Sequence, residues 1–347
     1  MSTEAAKPPP QANVSIESVL EVQQHTAWQR IVGAQSFWVT VALVIICLVM
    51  SWLQPASFAS SENFFNITRN FSFIGIMALG MTAVIATGGI DLSVGSIMGL
   101  TAVASGLTLE AGYPAWAAIL VGLGAGALTG LVNGLIIAYA GLSPFVTTLG
   151  MLSIARSCAV VLSGNRMIYN FGPGGAGFKL IGSGSFDIGS KLQLSYPLLF
   201  LLVLTVIFAI VYKMTSWGRH VLAIGGNEQA ALLTGVPVNR IKVQVYVVSG
   251  LCASLAAILV VGWTGSAINA LGVTYELLAI SAAVIGGANL MGGEASAYGA
   301  FIGAALIFVI RNSLLMAGVD SNWQGTFVGL FLIAAVYLGK VRGAKRE

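Results

Sequence analysis

Ten long apolar segments dominate the sequence, and they decide what kind of fold the chain can adopt. A helix needs about 20 apolar residues to cross the hydrocarbon core of a bilayer, and the segments contain 15 to 25 residues each. They cover residues 34–54, 70–88, 94–111, 115–139, 146–163, 196–213, 242–262, 276–290, 297–317 and 324–340. Only 8% of the residues are charged, against about 25% in soluble domains. The sequence therefore predicts an all-α polytopic membrane protein with about ten transmembrane helices.

Small residues are abundant in these segments. The 43 glycines suit a helix bundle in lipid, where backbones approach closely through small side chains. The three cysteines, Cys47, Cys158 and Cys252, each lie inside an apolar segment and show neither metal-ligand spacing nor a disulfide framework. We expect them to be packing thiols, and we predict no metal site.

Basic residues are distributed unevenly between the loops that connect the segments. With the N-terminus on the cytoplasmic side, ten of the 16 lysines and arginines lie in inner loops or tails, four lie in outer loops and two fall within segments. Cytoplasmic loops of membrane proteins carry an excess of such residues. We therefore expect both termini in the cytoplasm and an even number of spans.

Composition divides the chain into three parts. Residues 1–33 are a polar leader, in which residues 14–32 either form an interfacial amphipathic helix or include only a short helix. Residues 34–340 form the transmembrane domain, whose most patterned polar loop covers residues 213–242, and residues 341–347 form a basic tail. We expect the leader, this loop and the tail to lie in the cytoplasm.

One carboxylate interrupts a long uncharged stretch of sequence. It is Asp91 in the motif IATGGIDLSVGSIMG, and no other charged residue lies between Phe73 and Leu109. Ionised side chains at membrane depth are costly and usually face a bundle interior, a partner or a watery cavity. Because the neighbouring glycines permit a break, we expect the helix to be broken near residues 88–94, with Asp91 and Ser93 capping the helix that follows.

The polar loop at residues 213–242 contains a second local signal. The run NEQAALLT begins with Asn227 at a possible N-cap and ends before Gly235, a residue typical of helix ends. We expect a short helix under the membrane here. It either presents Ala230 and Ala231 to a groove on a partner or is an interfacial helix in an ordinary connecting loop.

Three motifs together carry a resemblance to a known family. GGIDLSVGS, LAIGGNEQAALLTGVPVNRIK and YELLAISAAVIGGANLMGG resemble the membrane permease subunit of ribose-type ABC sugar importers, a family that includes arabinose, xylose and galactose permeases. The similarity runs from about residue 34 to the C-terminus. Within the loop, the order of residues is similar to the EAA-x-x-x-G coupling motif of importer permeases, with Gln in place of Glu. The resemblance assigns contact with the ATPase subunit to Gly226, Asn227, Glu228, Gln229, Ala230, Ala231 and Gly235.

The resemblance also implies partners and a location. A periplasmic binding protein would deliver a monosaccharide to a dimer of permease chains in the bacterial inner membrane, with two identical chains as the expected form. A separate ABC ATPase subunit would bind ATP and Mg and drive alternating access. This chain itself would bind no cofactor and no nucleic acid, and it would contact membrane lipid.

Several polar or aromatic residues inside the segments are candidates for lining the translocation path. Asp91 and Ser93 either line the path or serve as a structural cap, and the two roles are compatible. Asn133 either bonds between helices or lines the path. Phe145 and Thr147, which follow a proline, either form an inner gate or pack as ordinary helix residues.

Arg156 is the expected structural partner among the charged residues within the membrane. The sequence leaves three positions open for it. It pairs with Asp91, it pairs with Glu276, or it lies near a membrane surface.

Two other classes of function are weighed against an importer permease. The sequence lacks a GxxxxGK[ST] phosphate loop, so this chain is not expected to hydrolyse ATP. An ion-coupled secondary sugar transporter usually needs several intramembrane acids, whereas Asp91 is the only acid deep in a segment. A membrane enzyme would need a catalytic constellation, and no HExxH motif or cluster of His, Cys and Asp is present. The same permease architecture could also carry a nucleoside or another small polar solute.

The chain departs from the pattern of the resembled family at three places. Thr274 stands where a glycine often precedes Tyr-Glu, Ser157 stands where a glycine often follows Arg156, and Glu294-Ala295 replaces a common Lys-Gly pair. None of them lies in the coupling loop. The departures therefore concern the identity of the substrate rather than the class of protein.

Overall fold

The computed structural model describes residues 32–189, 192–323, 325–327, 329, 330 and 333, and in this part of the chain the protein is almost entirely helical. The α-helices are α1 Gln35–Leu53, α2 Ser61–Ala86, α3 Val94–Glu110, α4 Ala115–Tyr139, α5 Pro144–Ser163, α6 Gly175–Ser183, α7 Tyr196–Met214, α8 Ser216–Gly226, α9 Glu228–Leu233, α10 Val238–Thr264, α11 Tyr275–Ile285 and α12 Ala297–Met316. One hairpin, β1 Ser185–Ile188 and β2 Leu192–Ser195, precedes α7, and a 3-10 turn covers Ser321–Trp323. The predicted all-α class is confirmed.

The helices match the predicted membrane segments closely. Among the described residues, seven helices are long and apolar enough to cross a membrane, and α3 and α11 are shorter apolar helices. Each of the nine segments predicted before residue 320 corresponds to one of these nine helices. The structure describes six of the 17 residues of the last predicted segment, 324–340. The leader helix at 14–32, except residue 32, and the tail at 341–347 lie outside the described residues.

Two helix boundaries differ from the sequence prediction. Helix α2 begins at Ser61 rather than near residue 70, because the Ser60 side chain accepts a hydrogen bond from the Asn63 N–H and caps a polar first turn. Helix α11 ends at Ile285 rather than at residue 290, where a pair of glycines follows. Hydropathy alone detects neither the Ser60 cap nor the end of α11.

The predicted helix break is present between α2 and α3. Helix α2 ends at Ala86, α3 begins at Val94, and the seven residues between them are not helical. Gly88 has a φ of +77°, a left-handed conformation that a residue with a Cβ adopts only at a cost. The break divides what would be one very long helix into two that can point in different directions.

Helices α2 and α10 form the centre of the bundle. They are the most deeply buried of the long apolar helices, whereas in α1, α4, α5 and α7 only a minority of the residues are buried in the single chain. Helix α4 reaches α10 through glycines. A Cβ on Gly126 would overlap the Gly250 carbonyl oxygen and the Ser254 hydroxyl, and a Cβ on Gly130 would overlap the backbone of Tyr246. These glycines allow the two backbones to touch.

A second non-helical segment, residues 265–274, connects α10 to α11. Its first part pairs with the loop after α5, where Ile168 and Ala267 exchange backbone hydrogen bonds. It then runs along α3, since a Cβ on Gly106 would approach the Ala267 side chain and a Cβ on Gly95 would overlap the Gly272 carbonyl oxygen. The segment therefore follows α3 over most of the length of that helix.

A matched pair of glycine variants tests the close contact between α4 and α10. Gly126→Ala inserts a methyl group into backbone and side-chain atoms of α10, which we expect to cost at least about 1–3 kcal/mol by overpacking. Gly124→Ala, two residues away, meets open space and gains about 1 kcal/mol in helix propensity. Thermal unfolding of the detergent-solubilised protein should show a lower midpoint for Gly126→Ala and an equal or higher midpoint for Gly124→Ala. Equal midpoints for the two variants would contradict the packing.

Candidate functional site

Asp91 lies in the break between α2 and α3 and is completely buried. Its Oδ1 accepts hydrogen bonds from the Ser93 backbone N–H at 3.0 Å and from the Ser93 hydroxyl at 2.6 Å. Its Oδ2 accepts a hydrogen bond from the Ser249 hydroxyl of α10 at 2.8 Å. Three donors thus replace the water that this carboxylate would lose on burial.

Helices α4 and α5 complete the surroundings of the break. Asn133 donates its side-chain N–H to the Ser93 hydroxyl at 2.9 Å, and the Thr148 hydroxyl donates to the Ile90 carbonyl oxygen at 3.3 Å. Within the described residues, the buried Oδ1 of Asn133 and the buried hydroxyl of Tyr246 have no hydrogen-bond partner. The Tyr246 hydroxyl would lie 2.6 Å from a Cβ on Gly89, so it borders the same break.

The structure corrects two expectations about this carboxylate. The predicted pairing of Asp91 with Arg156 is wrong, because neither hydrogen bonds nor an ion pair within 4 Å join these two side chains. Ser93 occupies the N-cap position of α3, but its hydroxyl donates to Asp91 and does not cap the helix. The Asp91 side chain reaches only the Ser93 N–H, so it organises the break rather than the first turn of α3.

Arg156, on α5, holds the second non-helical segment. Its guanidinium donates to the carbonyl oxygens of Asn269 and Leu271, the latter at 3.0 Å, and to the Gly95 carbonyl oxygen at 3.3 Å. Arg156 and Glu276 also form no ion pair, since no guanidinium nitrogen lies within 4 Å of the Glu276 carboxylate, although the two side chains interact electrostatically. A planar side chain with five donors suits several carbonyl groups at once. Arg156 thus supplies hydrogen-bond donors to the carbonyl groups of the non-helical segment that runs beside α3.

The exposed face of α5 carries three small side chains with polar or thiol groups among larger apolar ones. Ser153, Ser157 and Cys158 are exposed on the single chain, although they lie inside a long apolar helix. The two candidate gate residues differ in burial. Phe145 is exposed, whereas Thr147 is buried and its hydroxyl has no hydrogen-bond partner among the described residues. Polar residues at this depth usually face a bundle interior or a water-filled cavity rather than lipid.

The polar loop at residues 213–242 forms two helices, α8 and α9, between α7 and α10. The Asn227 side chain accepts a hydrogen bond from the Ala230 N–H at 3.0 Å, which is the predicted N-cap. Gly235 follows the helix with a φ of +84°. Glu228 forms an ion pair with Lys242 of α10 at 2.8 Å, which fixes the short helix against the bundle.

The surface of α9 differs from the expected one. Ala231 is buried in the chain itself, so it cannot be presented to a groove on a partner, and only Ala230 is exposed as predicted. The exposed apolar side chains are instead Leu232 and Leu233, the second with 87% of its surface accessible. Because these two exposed leucines are adjacent, they make this end of α9 a candidate contact surface.

Comparison with known proteins identifies the family. Residues 63–336 match the family described as the permease component of the branched-chain amino acid transport system. The chain belongs to this permease family. Because its members are transport subunits, the protein is a multi-pass membrane permease subunit and not an enzyme. No solved structure matches it.

Three curated relatives show how widely the similarity extends. The permease is 38% identical over 305 residues to a probable ABC transporter permease, y4mJ, of Sinorhizobium fredii. The matched region covers 88% of this chain and 89% of the relative. It is 36% identical over 304 residues to the ribose import permease RbsC of Bacillus subtilis, with 88% and 92% covered. It is 38% identical over 270 residues to the autoinducer 2 import system permease LsrD of Escherichia coli K12, with 78% and 81% covered.

Sequence reasoning missed several residues of the site. Ser249 was not singled out because a serine in an apolar helix is ordinary, and nothing local places it beside a carboxylate 158 positions earlier in the chain. The role of Asn269 and Leu271 could not be predicted, because they bind Arg156 through backbone carbonyl groups, which every residue has. One signal was available: a buried carboxylate without a basic neighbour needs hydroxyl or amide donors from other helices.

Replacement of Asp91 tests its structural role in the permease. Asp91→Leu leaves the Ser249 hydroxyl and the Ser93 N–H without their acceptor, at about 1–3 kcal/mol for each buried group. Asp91→Asn keeps the shape and one carbonyl oxygen, so we expect it to fold. Size-exclusion chromatography of solubilised membranes should show a several-fold loss of monodisperse protein for the leucine variant only. A leucine variant that accumulates as wild type does would refute this role.

Proposed function

We propose that this chain is the permease subunit of an ABC importer that moves a monosaccharide or a related neutral polyol across the bacterial inner membrane. A periplasmic binding protein would deliver the solute, and a separate ATPase subunit would bind ATP and Mg. The observation that carries the proposal is the coupling helix α9, whose exposed Leu232 and Leu233 lie in the loop that aligns with the coupling motif of such permeases. The ribose and autoinducer 2 import permeases among the relatives support it.

The chemistry of the site favours a neutral solute over an amino acid. A zwitterionic amino acid would need charged partners along its path, because burying an unpaired charge is costly. Asp91 is already bonded to three donors and Arg156 to three carbonyl oxygens, and the nearby Glu276 interacts electrostatically with Arg156. Two of the exposed side chains of α5, Ser153 and Ser157, supply hydroxyl groups instead. Hydroxyl groups suit a sugar, which donates and accepts hydrogen bonds without charge.

Two of the three departures from the family pattern add hydroxyl groups at exposed positions. Ser157 is exposed on α5, and Thr274 is exposed at the end of the segment that Arg156 binds. Each stands where a glycine is common in the resembled family. If these two side chains line the path, they would affect which solute passes, and they are therefore the first positions to vary when the substrate is sought.

A second permease chain would cover this surface. Non-helical backbone at membrane depth is tolerated only where it is buried or lines a watery cavity, yet Ile268, Val273 and Thr274 of the second segment are exposed on the single chain. Two identical chains facing each other through α5 and residues 265–274 would enclose the path between them. Both termini and α9 would then lie in the cytoplasm, in agreement with the bias of basic residues.

Truncation of an exposed leucine tests the coupling function. Leu233→Ala removes most of the apolar contact of α9, so we expect at least a tenfold loss of sugar-stimulated ATP hydrolysis in proteoliposomes that contain permease, ATPase subunit and binding protein. Leu48→Ala, on the exposed surface of α1, is the control and should behave as wild type. Full stimulation in Leu233→Ala, or an equal loss in both variants, would count against docking through α9.

A native cysteine reports on the path. Cys158 is exposed on α5, Cys252 is buried and Cys47 is half-buried on α1. In a Cys47→Ser background, a charged methanethiosulfonate reagent should modify Cys158 and stop transport, because a watery path admits the reagent and lipid does not. Prior docking of the loaded binding protein should slow the reaction severalfold. Absence of modification, as judged by mass spectrometry with Cys158→Ser as reference, would place this face against lipid.

A further inference from the structure

A tight turn between α11 and α12 presents one strongly exposed apolar side chain. We call residues 289–293 the Met291 turn. Met291 has 84% of its surface accessible, and its N–H donates to the Asn289 side-chain oxygen at 3.0 Å. The Gly292 N–H donates to the Asn289 carbonyl oxygen at 2.9 Å. The backbone under the exposed side chain is therefore held in one conformation.

The Met291 turn is seated against the end of α8. Gly292 and Gly293 have φ values of +92° and +82°, and a Cβ on Gly292 would lie 2.7 Å from the Gly225 Cα atom. A Cβ on Gly225 would in turn overlap the Gly293 nitrogen and the Ala86 carbonyl oxygen. Glycine at these positions lets three backbones meet without side chains between them.

This contact sets the turn beside the coupling helix. Gly225 lies two residues before Asn227, the N-cap of α9. The turn and α9 therefore both lie next to Gly225. Each carries an exposed apolar side chain, Met291 in the turn and Leu233 in α9. Methionine is unbranched and polarisable, and it recurs at surfaces that adapt to a partner.

We propose that the Met291 turn is a second docking contact for the ATPase subunit, held in fixed register with α9. The proposal rests on the proposed function, because it extends the surface through which α9 would meet that subunit. Membrane lipid is the less suitable occupant. Residues 289–296 contain no basic residue, and the exposed Glu294 would be repelled by anionic headgroups.

The same turn is bonded to the helix break. The Gly293 N–H donates to the carbonyl oxygen of Ala86, the last residue of α2, at 3.0 Å. Asp91 follows five residues later. Force applied at Met291 therefore reaches the end of α2 through one hydrogen bond and a glycine contact, which gives the ATPase subunit a direct connection to the Asp91 break.

Site-specific photo-crosslinking tests the docking contact. A benzophenone amino acid is placed at position 291, at position 233 or at position 203 on the exposed face of α7, in permease reconstituted in nanodiscs with an ATPase subunit that carries a GxxxxGK[ST] phosphate loop. We expect ATPase adducts from 291 and 233 and only lipid adducts from 203. Adducts from 233 but not from 291 would overturn the inference alone. Adducts from neither position would also remove the proposed function.

A pair of glycine variants tests the register between the turn and α9. Gly225→Ala forces the Met291 turn away from α8, whereas a Cβ on Gly226 meets open space, which makes Gly226→Ala the control. In Gly225→Ala, crosslinking from position 291 should fall at least fivefold while crosslinking from position 233 persists. Equal crosslinking from 291 in both variants would refute the register. If Gly225→Ala does not fold, the crosslink at 291 in the otherwise unchanged protein still decides the proposal.

Discussion

Backbone that leaves a helix inside a membrane must find hydrogen-bond partners in the protein, and this constraint organises the permease. The chain leaves its helices twice beside α3, in residues 87–93 and in residues 265–274. A carboxylate and two serine hydroxyls tie the first break to α10, and the guanidinium of Arg156 binds carbonyl groups of the second. Two charged side chains that look like a pair in the sequence therefore act separately, each on its own break.

Fixing both charges inside the chain has a consequence for transport. In the proposed importer, hydroxyl groups along the path would bind a sugar only weakly, and neither Asp91 nor Arg156 would be free to bind the solute. Tight binding would slow release, so selection is better left to a delivering protein. Under the proposed function, motion would be supplied from outside the membrane domain, at α9 and the Met291 turn. Both lie next to Gly225, which in turn contacts the last residue of α2.

The parts of the structure that depend on local sequence could be predicted, and those that depend on distant contacts could not. The apolar segments, the break at the glycines before Asp91, the Asn227 cap and the stop at Gly235 follow from neighbouring residues. The burial of Ala231, the Ser249 partner and the carbonyl groups bound by Arg156 depend on how helices pack after they form. A motif shows where a short helix lies but does not show which of its faces the bundle covers.

At Thr274, distant contacts impose a backbone conformation that the local sequence disfavours. The threonine has a φ of +70°, a conformation that is rare for a β-branched residue and costs of order 1–3 kcal/mol. Its position demands that conformation, because α11 begins at the next residue and the segment before it is fixed. Arg156 binds the Leu271 carbonyl oxygen, and the Gly272 carbonyl oxygen accepts a hydrogen bond from the Tyr275 N–H. A glycine would meet the demand without strain, and the resembled family often has one there. The strained threonine therefore adds a hydroxyl group at an exposed point of the Arg156-bound segment, and its cost is borne by the surrounding packing.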